Sequence, residues 1–306
     1  MSVWQNYEGV RVDESNNDLS RPRMSMTSDV LAYRTCRRQY GYFQNDDYVP
    51  TQTTQLFYGT IIHQVLDRAH RHYKGLMPNV PEGSLPNDRD IEEYFQEVEN
   101  DLVTQGIRPK SGDSREQALR VLKRFNRIEG AALYPRVFDT EYKLESSRED
   151  YILHGVVDVI AGTNTDDPSN REIWDYKGSS RPNESSDEMQ NYRWQMAVYA
   201  ELYRARTGEY PDRAVLYFLN ELEGEPQPEN RPIRAIFEVN FEEEDIDAGL
   251  EAFDRTASEI QEHKERQEWP APDEPPSEET CDVCDIRFDC PARDDKYPLR
   301  YPVTED

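Results

Sequence analysis

The chain has 306 residues, room for one large domain or two small ones, and its 36% hydrophobic content supplies a core on the lean side. Its net charge of −26, with 29 Arg but only 7 Lys, excludes the phosphate-attracting surface of an ordinary nucleic-acid binder and matches the acid-rich, lysine-poor surfaces of halophile proteins. No apolar run approaches transmembrane length and no secretory signal opens the chain, so a cytoplasmic location without a membrane partner is expected.

In chain order, residues 1 to 27 are polar and read as a loosely held, flexible arm. Ser28 and Asp29 are the expected N-caps of a helix carrying Val30, Leu31 and Tyr33 toward Cys36 and Tyr40. Here one cysteine, Cys36, stands among the basic residues Arg34, Arg37 and Arg38 and several aromatics. The stretch Tyr58 to Tyr73 places Ile62, Leu66 and Ala69 on one helical stripe and sets His63 and Asp67 four apart. His70 and His72 are expected to face solvent. A loop rich in Gly and Pro, residues 75 to 87, leads to two helices at about 88 to 105 and 113 to 131, split by Gly106, Pro109 and Gly112.

Val137 to Leu144 reads as the first core strand. In the next run, YILHGVVDVIAG, the apolar residues Val156, Val157, Val159 and Ile160 carry one carboxylate, Asp158. A charge buried in such a strand is expensive unless it is paired or holds a metal. A turn from Asn164 to Asn170 then reverses the chain into a second strand, Glu172 to Lys177. If the two strands pair as a hairpin, Asp158 and Asp175 approach one another, and Asp175 and Lys177 share a face while Tyr176 points away. Two carboxylates beside an ammonium suit phosphodiester hydrolysis, with the acids holding Mg²⁺ or Mn²⁺. An ordinary cross-strand ion pair is the plainer reading of the same residues.

A helix running to about Tyr203 sets Gln195 and Tyr199 four apart on one face. Strands follow at Ala214 to Leu219 and Ile233 to Phe241, then a helix from Glu243 to about Glu268 burying Ile246, Leu250, Phe253 and Ile260. The stiff connector Trp269 to Pro276 leads to Cys281, Cys284 and Cys290, which with Cys36 make up the chain's 4 cysteines. Four thiolates suit a [4Fe–4S] cluster or a zinc ion, whereas two disulfides fit a reducing cytosol poorly. Tying Cys36 to so distant a trio would stabilise the fold by on the order of 5 kcal/mol on the loop-closure model for disulfides. The chain has no Walker loop, dinucleotide fingerprint or internal repeat, which excludes a helicase motor.

Taken together, Gly155 to Asp158, Asp175 to Lys177 and Gln195 to Tyr199 resemble the RecB-like branch of the PD-(D/E)XK nucleases, and Gly59, His63 and Asp67 resemble that branch's histidine motif. The spacing of one distant cysteine and a C-terminal trio is similar to the iron-sulfur members, the CRISPR-associated RecB-like exonucleases and the AddB-type nuclease subunits. The resemblance implies an α/β, restriction-endonuclease-like fold, a mixed central β-sheet flanked by helices. It implies one domain over 28–300, with a helical insertion at 75–131, a connector and cysteine loop at 269–291, and a [4Fe–4S] clasp on Cys36, Cys281, Cys284 and Cys290.

It further implies that His63, Asp158, Asp175 and the backbone carbonyl of Tyr176 bind one or two divalent ions, the imidazole tilting the preference toward Mn²⁺ over Mg²⁺. Lys177 would position the attacking hydroxide and neutralise the transition state, while Gln195 and Tyr199 orient Lys177 or the DNA backbone. The implied substrate is DNA, a single strand or flap entered from an end, with Arg34, Arg37 and Arg38 as phosphate contacts. At about 1 M salt the Debye length is about 3 Å, so distant acids would be nearly invisible to that DNA. Two other readings remain. One is a DNA-binding module with an idle metal site, and the other is an accessory nuclease serving a separate helicase or a CRISPR integrase.

Overall fold

The computed structural model describes residues 21–44, 54–163, 170–224, 229–272 and 274–298. The strands are β1 (Arg23–Ser25), of only three residues, and β2 (Val137–Ser147), β3 (Ile152–Gly162), β4 (Arg171–Lys177), β5 (Arg213–Phe218) and β6 (Ile236–Val239), which carry β-branched and aromatic residues. All six belong to one mixed sheet. The axis of that sheet is β3. Along one edge β2 pairs antiparallel with it from Ser147↔Ile152 to Val137↔Ala161. The other edge is shared: β4 pairs antiparallel at its far end, from Val159↔Trp174 to Gly162↔Arg171, and β1 pairs parallel at its start, from Arg23↔Ile152 to Ser25↔His154. Among the described residues, no strand covers that edge from Gly155 to Asp158. Further out, β5 is parallel to β4 and β6 antiparallel to β5.

The helices are α1 (Ala32–Thr35), α2 (Arg37–Phe43), α3 (Thr54–Tyr73), α4 (Asp88–Thr104), α5 (Gly112–Leu133), α6 (Asp187–Thr207), α7 (Glu243–Arg266) and α8 (Glu278–Asp282). One core lies between the first face of the sheet and α6 and α7, and includes Leu153, Val157, Ile173, Leu216, Val198, Leu202 and Phe253. The second core, on the opposite face, joins Val159, Trp174, Tyr176 and Tyr217 to Ile62, Leu66, Phe95, Leu122 and Phe125 of α3, α4 and α5. The helices between residues 75 and 131 therefore complete the hydrophobic packing of the sheet. Reciprocal side-chain caps start both of them, Asn87 with Asp90 and Ser111 with Ser114.

As the crossover that the parallel β4–β5 step requires, α6 is apolar nearly all round from Met196 to Tyr203, because it is covered by the sheet on one side and α7 on the other. Close approach of α6 to the sheet requires Gly155: a Cβ there would stand 2.9 Å from Tyr199 Cε1 and 3.0 Å from Leu202 Cδ1. The outer end of the hairpin is fixed by Glu172, fully buried, which accepts from Arg136, Arg213 and the Trp174 indole.

Three expectations are corrected. The expected arm over residues 1 to 27 gives way to structure by Arg23, because Arg23–Ser25 form β1 and bury Met24 and Met26; residues 1–20 lie outside the described residues. Helical structure starts before Ser28, in a π-helical turn over Met26–Leu31 that Ser25 caps, while Asp29 accepts the Ser25 amide at 2.7 Å. The last strand begins at Ile236, since Ile233 lies in a 3₁₀ turn and is 95% exposed. The turn expected from Asn164 to Asn170 falls outside the described residues up to position 169.

Candidate active site

Where β3 and β4 stop pairing, two carboxylates face the gap. The ladder ends at Val159↔Trp174, and one step further the Asp158 carboxylate takes over, its Oδ2 accepting the Tyr176 amide at 2.7 Å. Its Oδ1 lies 3.1 Å from Nδ1 of His63, which α3 brings in from the second face of the sheet. Side-chain alternation along β3 breaks at this residue: Val157 packs in the first core and Val159 in the second. Asp158 therefore stands at the junction of the two faces, within reach of groups from both.

Asp175 and Lys177 do share one face of β4, and that face looks onto α6. The Lys177 ammonium is 2.6 Å from Asp175 Oδ2 and donates to Gln195 Oε1 at 2.8 Å, while Gln195 Nε2 donates to Asp175 Oδ1 at 3.2 Å. The ring of Tyr192 covers the ammonium at 4.4 Å from its centroid, a partner that the Gln195 and Tyr199 spacing did not announce. Tyr199 lies deeper, its ring against Gly155, and supports the helix behind Gln195. Asp175 is thus held at both oxygens, Oδ2 by the Lys177 ammonium and Oδ1 by Gln195.

Electrostatics at this point are strained in the manner of a cation site. Burial raises the Asp175 pKa, Lys177 pulls it back and Asp158 raises it again, so the net displacement is upward. For His63, burial alone would lower the pKa, but the carboxylates of Asp158 and Asp175 outweigh it and hold the imidazole up to about 9.

Sequence reasoning missed Glu141. It lies on β2 opposite Asp158, between the pairs Thr140↔Val159 and Tyr142↔Val157, and its carboxylate, Asp158 and His63 place ligand atoms within 4.8 Å of one another. Although the residue is exposed, crowding by the surrounding protein and the Asp158 charge push its carboxyl up against the pull of His63. Its backbone is left-handed, φ 50°, a conformation that costs a non-glycine residue about 1 to 3 kcal/mol. In an acid-rich strand no sequence signal separates this glutamate from its solvated neighbours. Asp67 lies outside the group and accepts from Thr140 Oγ1 at 2.6 Å, so it fastens α3 to the residue before Glu141.

The donors fit a hard divalent ion: carboxylate oxygens of Glu141 and Asp158 and the His63 imidazole, within 4.8 Å of one another. His70 and His72 do not face solvent as expected. Both are buried because α4 and α5 wrap α3; His70 Nε2 pairs with the Tyr176 hydroxyl at 2.9 Å, and His72 Nδ1 with that of Tyr94 at 2.7 Å. Burial drives His70 down to about 3, so it is a neutral prop for the strand that carries Asp175 and Lys177.

All four cysteines are free thiols lining one cavity together with Arg38 and Arg287. Cys36 sits between α1 and α2, and its Sγ caps α2 by accepting from the Gln39 amide. Arg38 donates to the Asp289 carbonyl of the cysteine loop, Arg34 lies over Trp194 at 4.8 Å, and Arg37 occupies the first turn of α2. Among the described residues, no three of the sulfurs lie within 4.8 Å of one another.

The model of the PD-(D/E)XK nuclease superfamily matches residues 23–291 of the sequence. Among solved structures, the chain is similar to a crystal structure from Eubacterium rectale named "Putative exonuclease", at 16% identity and a TM-score of 0.51, covering 90% of this chain and 93% of that one. At that identity the likeness speaks for the fold alone. No curated protein matches the sequence.

Proposed function

Because the chain belongs to the PD-(D/E)XK nuclease superfamily, we propose that it is a RecB-like, metal-dependent deoxyribonuclease acting as an exonuclease on single-stranded or flap DNA. The observation that carries this reading is the convergence of Asp158, Asp175, Lys177 and Gln195 with His63 where β3 and β4 part. His63, Asp158, Asp175 and the Tyr176 carbonyl would hold Mn²⁺ or Mg²⁺, which when bound supplies a water of lowered pKa and a positive charge for the phosphoryl oxygens.

The chain's own groups do the rest. Lys177, fixed by Gln195 and covered by Tyr192, donates to the attacking water oxygen and offsets charge on the phosphate as the P–O bond to the leaving strand breaks. Gln195 keeps that ammonium from collapsing onto Asp175 alone, because it binds both at once. His70, through the Tyr176 hydroxyl, anchors the strand that presents both groups.

For the cysteines we favour a [4Fe–4S] cluster over zinc. Tetrahedral zinc with Zn–S of about 2.3 Å holds its sulfurs about 3.8 Å apart. What favours the larger group is the one-plus-three spacing of the four cysteines, which line one cavity together. Arg38 and Arg287 then belong with the cluster, and Arg34 is the better phosphate contact of the three arginines first singled out. The acid-rich composition fits a halophile's cytoplasm, where short-range contacts must carry DNA binding.

The test is an anaerobic preparation given Mn²⁺ and end-labelled single-stranded DNA, beside Lys177→Ala and Asp175→Ala. Loss of cleavage in both variants is expected, and equal cleavage by all three proteins removes the assignment. Iron and sulfide analysis of the same sample decides the cluster, and stoichiometric zinc without iron ends that part of the reading.

A further inference from the structure

We infer that Tyr58 and Asn220 are positioning residues for Lys177: together they pin the backbone that leaves β4 and so fix where the ammonium stands. This rests on the nuclease reading above and adds two residues that none of the recognised sequence motifs contains. Lys177 is the last residue of β4, and its pairing with Phe218 is the last rung of the ladder to β5. Among the described residues, no strand pairs with the chain beyond it. The backbone of the lysine is therefore secured from its C-terminal side by whatever grips the loop 178–181.

That grip comes from Asn220, in the 3₁₀ turn Leu219–Leu222 directly after β5. Its Nδ2 donates to the Gly178 carbonyl at 3.1 Å and its backbone amide donates to the Ser179 carbonyl at 3.3 Å, so one residue holds the carbonyls of both residues after the lysine. Beside it, Glu221 Oε1 accepts the Arg181 amide at 2.9 Å. The orientation of the Asn220 amide is forced: the Gly178 carbonyl can only accept, so Nδ2 must face it and Oδ1 must turn away. There Oδ1 meets the Tyr58 hydroxyl, which donates to it at 2.6 Å. Burial and the Glu223 charge raise the Tyr58 pKa, so the hydroxyl keeps its proton and stays a donor. Tyr58 lies on α3 little more than one turn before His63. One helix thus supplies both the imidazole beside Asp158 and the hydroxyl at the far end of the lysine's anchor. Gly178 gives the loop room to approach that helix: a Cβ there would stand 3.0 Å from Tyr58 Cδ1 and 3.2 Å from Ile62 Cδ1.

Three variants cut or displace this anchor in different ways. Tyr58→Phe deletes the donor and keeps the ring, Asn220→Asp keeps the acceptor and deletes the donor to Gly178, and Gly178→Ala keeps every hydrogen-bonding group but pushes the loop off α3. The anaerobically prepared holoprotein and its variants are assayed on end-labelled single-stranded DNA over a range of DNA and Mn²⁺ concentrations. Misplacing a reacting group by about 1 Å can cost about 10²-fold in rate, so each variant is expected to lower kcat by about tenfold or more. KM and the Mn²⁺ concentration giving half the maximal rate are expected to stay within about twofold, because the anchor acts on the lysine alone. Tyr58→Phe combined with Asn220→Asp is expected to be no slower than the slower single variant, since both cut one chain of bonds. Tyr58→Phe removes one atom, so it carries the test even where Gly178→Ala fails to fold. If its kcat matches wild type, or if its Mn²⁺ requirement rises in step with the loss of kcat, the inference is overturned; the nuclease reading stands on the wild-type cleavage. If wild type cleaves no DNA with Mn²⁺, both fall together.

Discussion

Replacing Lys177 by Met tests the site most sharply, because the ammonium is enclosed and its three contacts are known. The side chain of Lys177 is 14% exposed and that of Asp175 is 7% exposed, so the pair counts as buried. Removing one member of such a pair typically costs about 3 to 5 kcal/mol, since the remaining charge is stranded. Here the loss has a ceiling, because Asp175 can take up a proton. Protonating a carboxyl of ordinary pKa about 3.9 at pH 7 costs about 4 kcal/mol, and no stranded charge can cost more than that.

The sign follows from the same carboxyl. Burial already raises the Asp175 pKa, and deleting Lys177 removes the chief influence that lowers it. The folded variant then holds the proton more tightly than the unfolded chain, so its stability is greatest at or below about pH 3.9 and falls as pH rises toward the elevated value. Urea denaturation of ion-free protein at several pH values measures this, and Asp175→Asn combined with Lys177→Met is expected to recover most of the lost stability. Activity is not recovered: losing one preorganised positive donor lowers kcat by about 10²- to 10³-fold in the single variant, and the double variant, which also gives up a cation ligand, falls at least as far. Wild-type cleavage by Lys177→Met, or a stability deficit that does not grow between pH 5 and pH 8, refutes this account of the pair.

Three further outcomes are expected. With its imidazole held up to about 9 by Asp158 and Asp175 against the effect of burial, His63 is protonated at neutral pH in the ion-free protein. Its pairing thus contributes stability below about pH 6.5 that is lost as pH rises through about 9. Each bound Mn²⁺ should correspondingly release about one proton at pH 7, measured by calorimetry in buffers of different ionisation heat, and an absence of proton release counts against His63 as a ligand. Gly155→Ala should destabilise by about 1 to 3 kcal/mol and lower kcat, because the new methyl drives Tyr199 and Leu202 off the sheet and α6 with them. An unchanged denaturation midpoint would show that α6 sits further away than described. Cys36→Ala should lower iron content and Tm together, and full iron loading in that variant would remove Cys36 from the ligand set.

The hairpin, the crossover helix and the group they position were legible in the sequence for a physical reason. Asp158, Asp175, Lys177 and Gln195 interrupt segments that are otherwise apolar, and a polar residue in a core segment stands out against its neighbours. Glu141 offers no such contrast, because β2 alternates exposed and half-buried residues and carries other acids. Only the backbone angle and the distance to Asp158 distinguish it, and both are properties of three dimensions. His70 and His72 were misjudged because periodicity on α3 identifies one buried stripe, whereas α4, α5 and the sheet together leave little of that helix in water. With three residues, β1 is too short for any periodic pattern, and its partner at Ile152 to His154 is remote in the chain.

Cys36 lies far ahead in the sequence of Cys281, Cys284 and Cys290, with which it lines one cavity. During synthesis α1 and α2 must wait for the residues after α7 before their thiol meets the other three, and β1 likewise waits for β3. A chain interrupted before Cys281 keeps Asp158, Asp175 and Lys177 but cannot close that cavity.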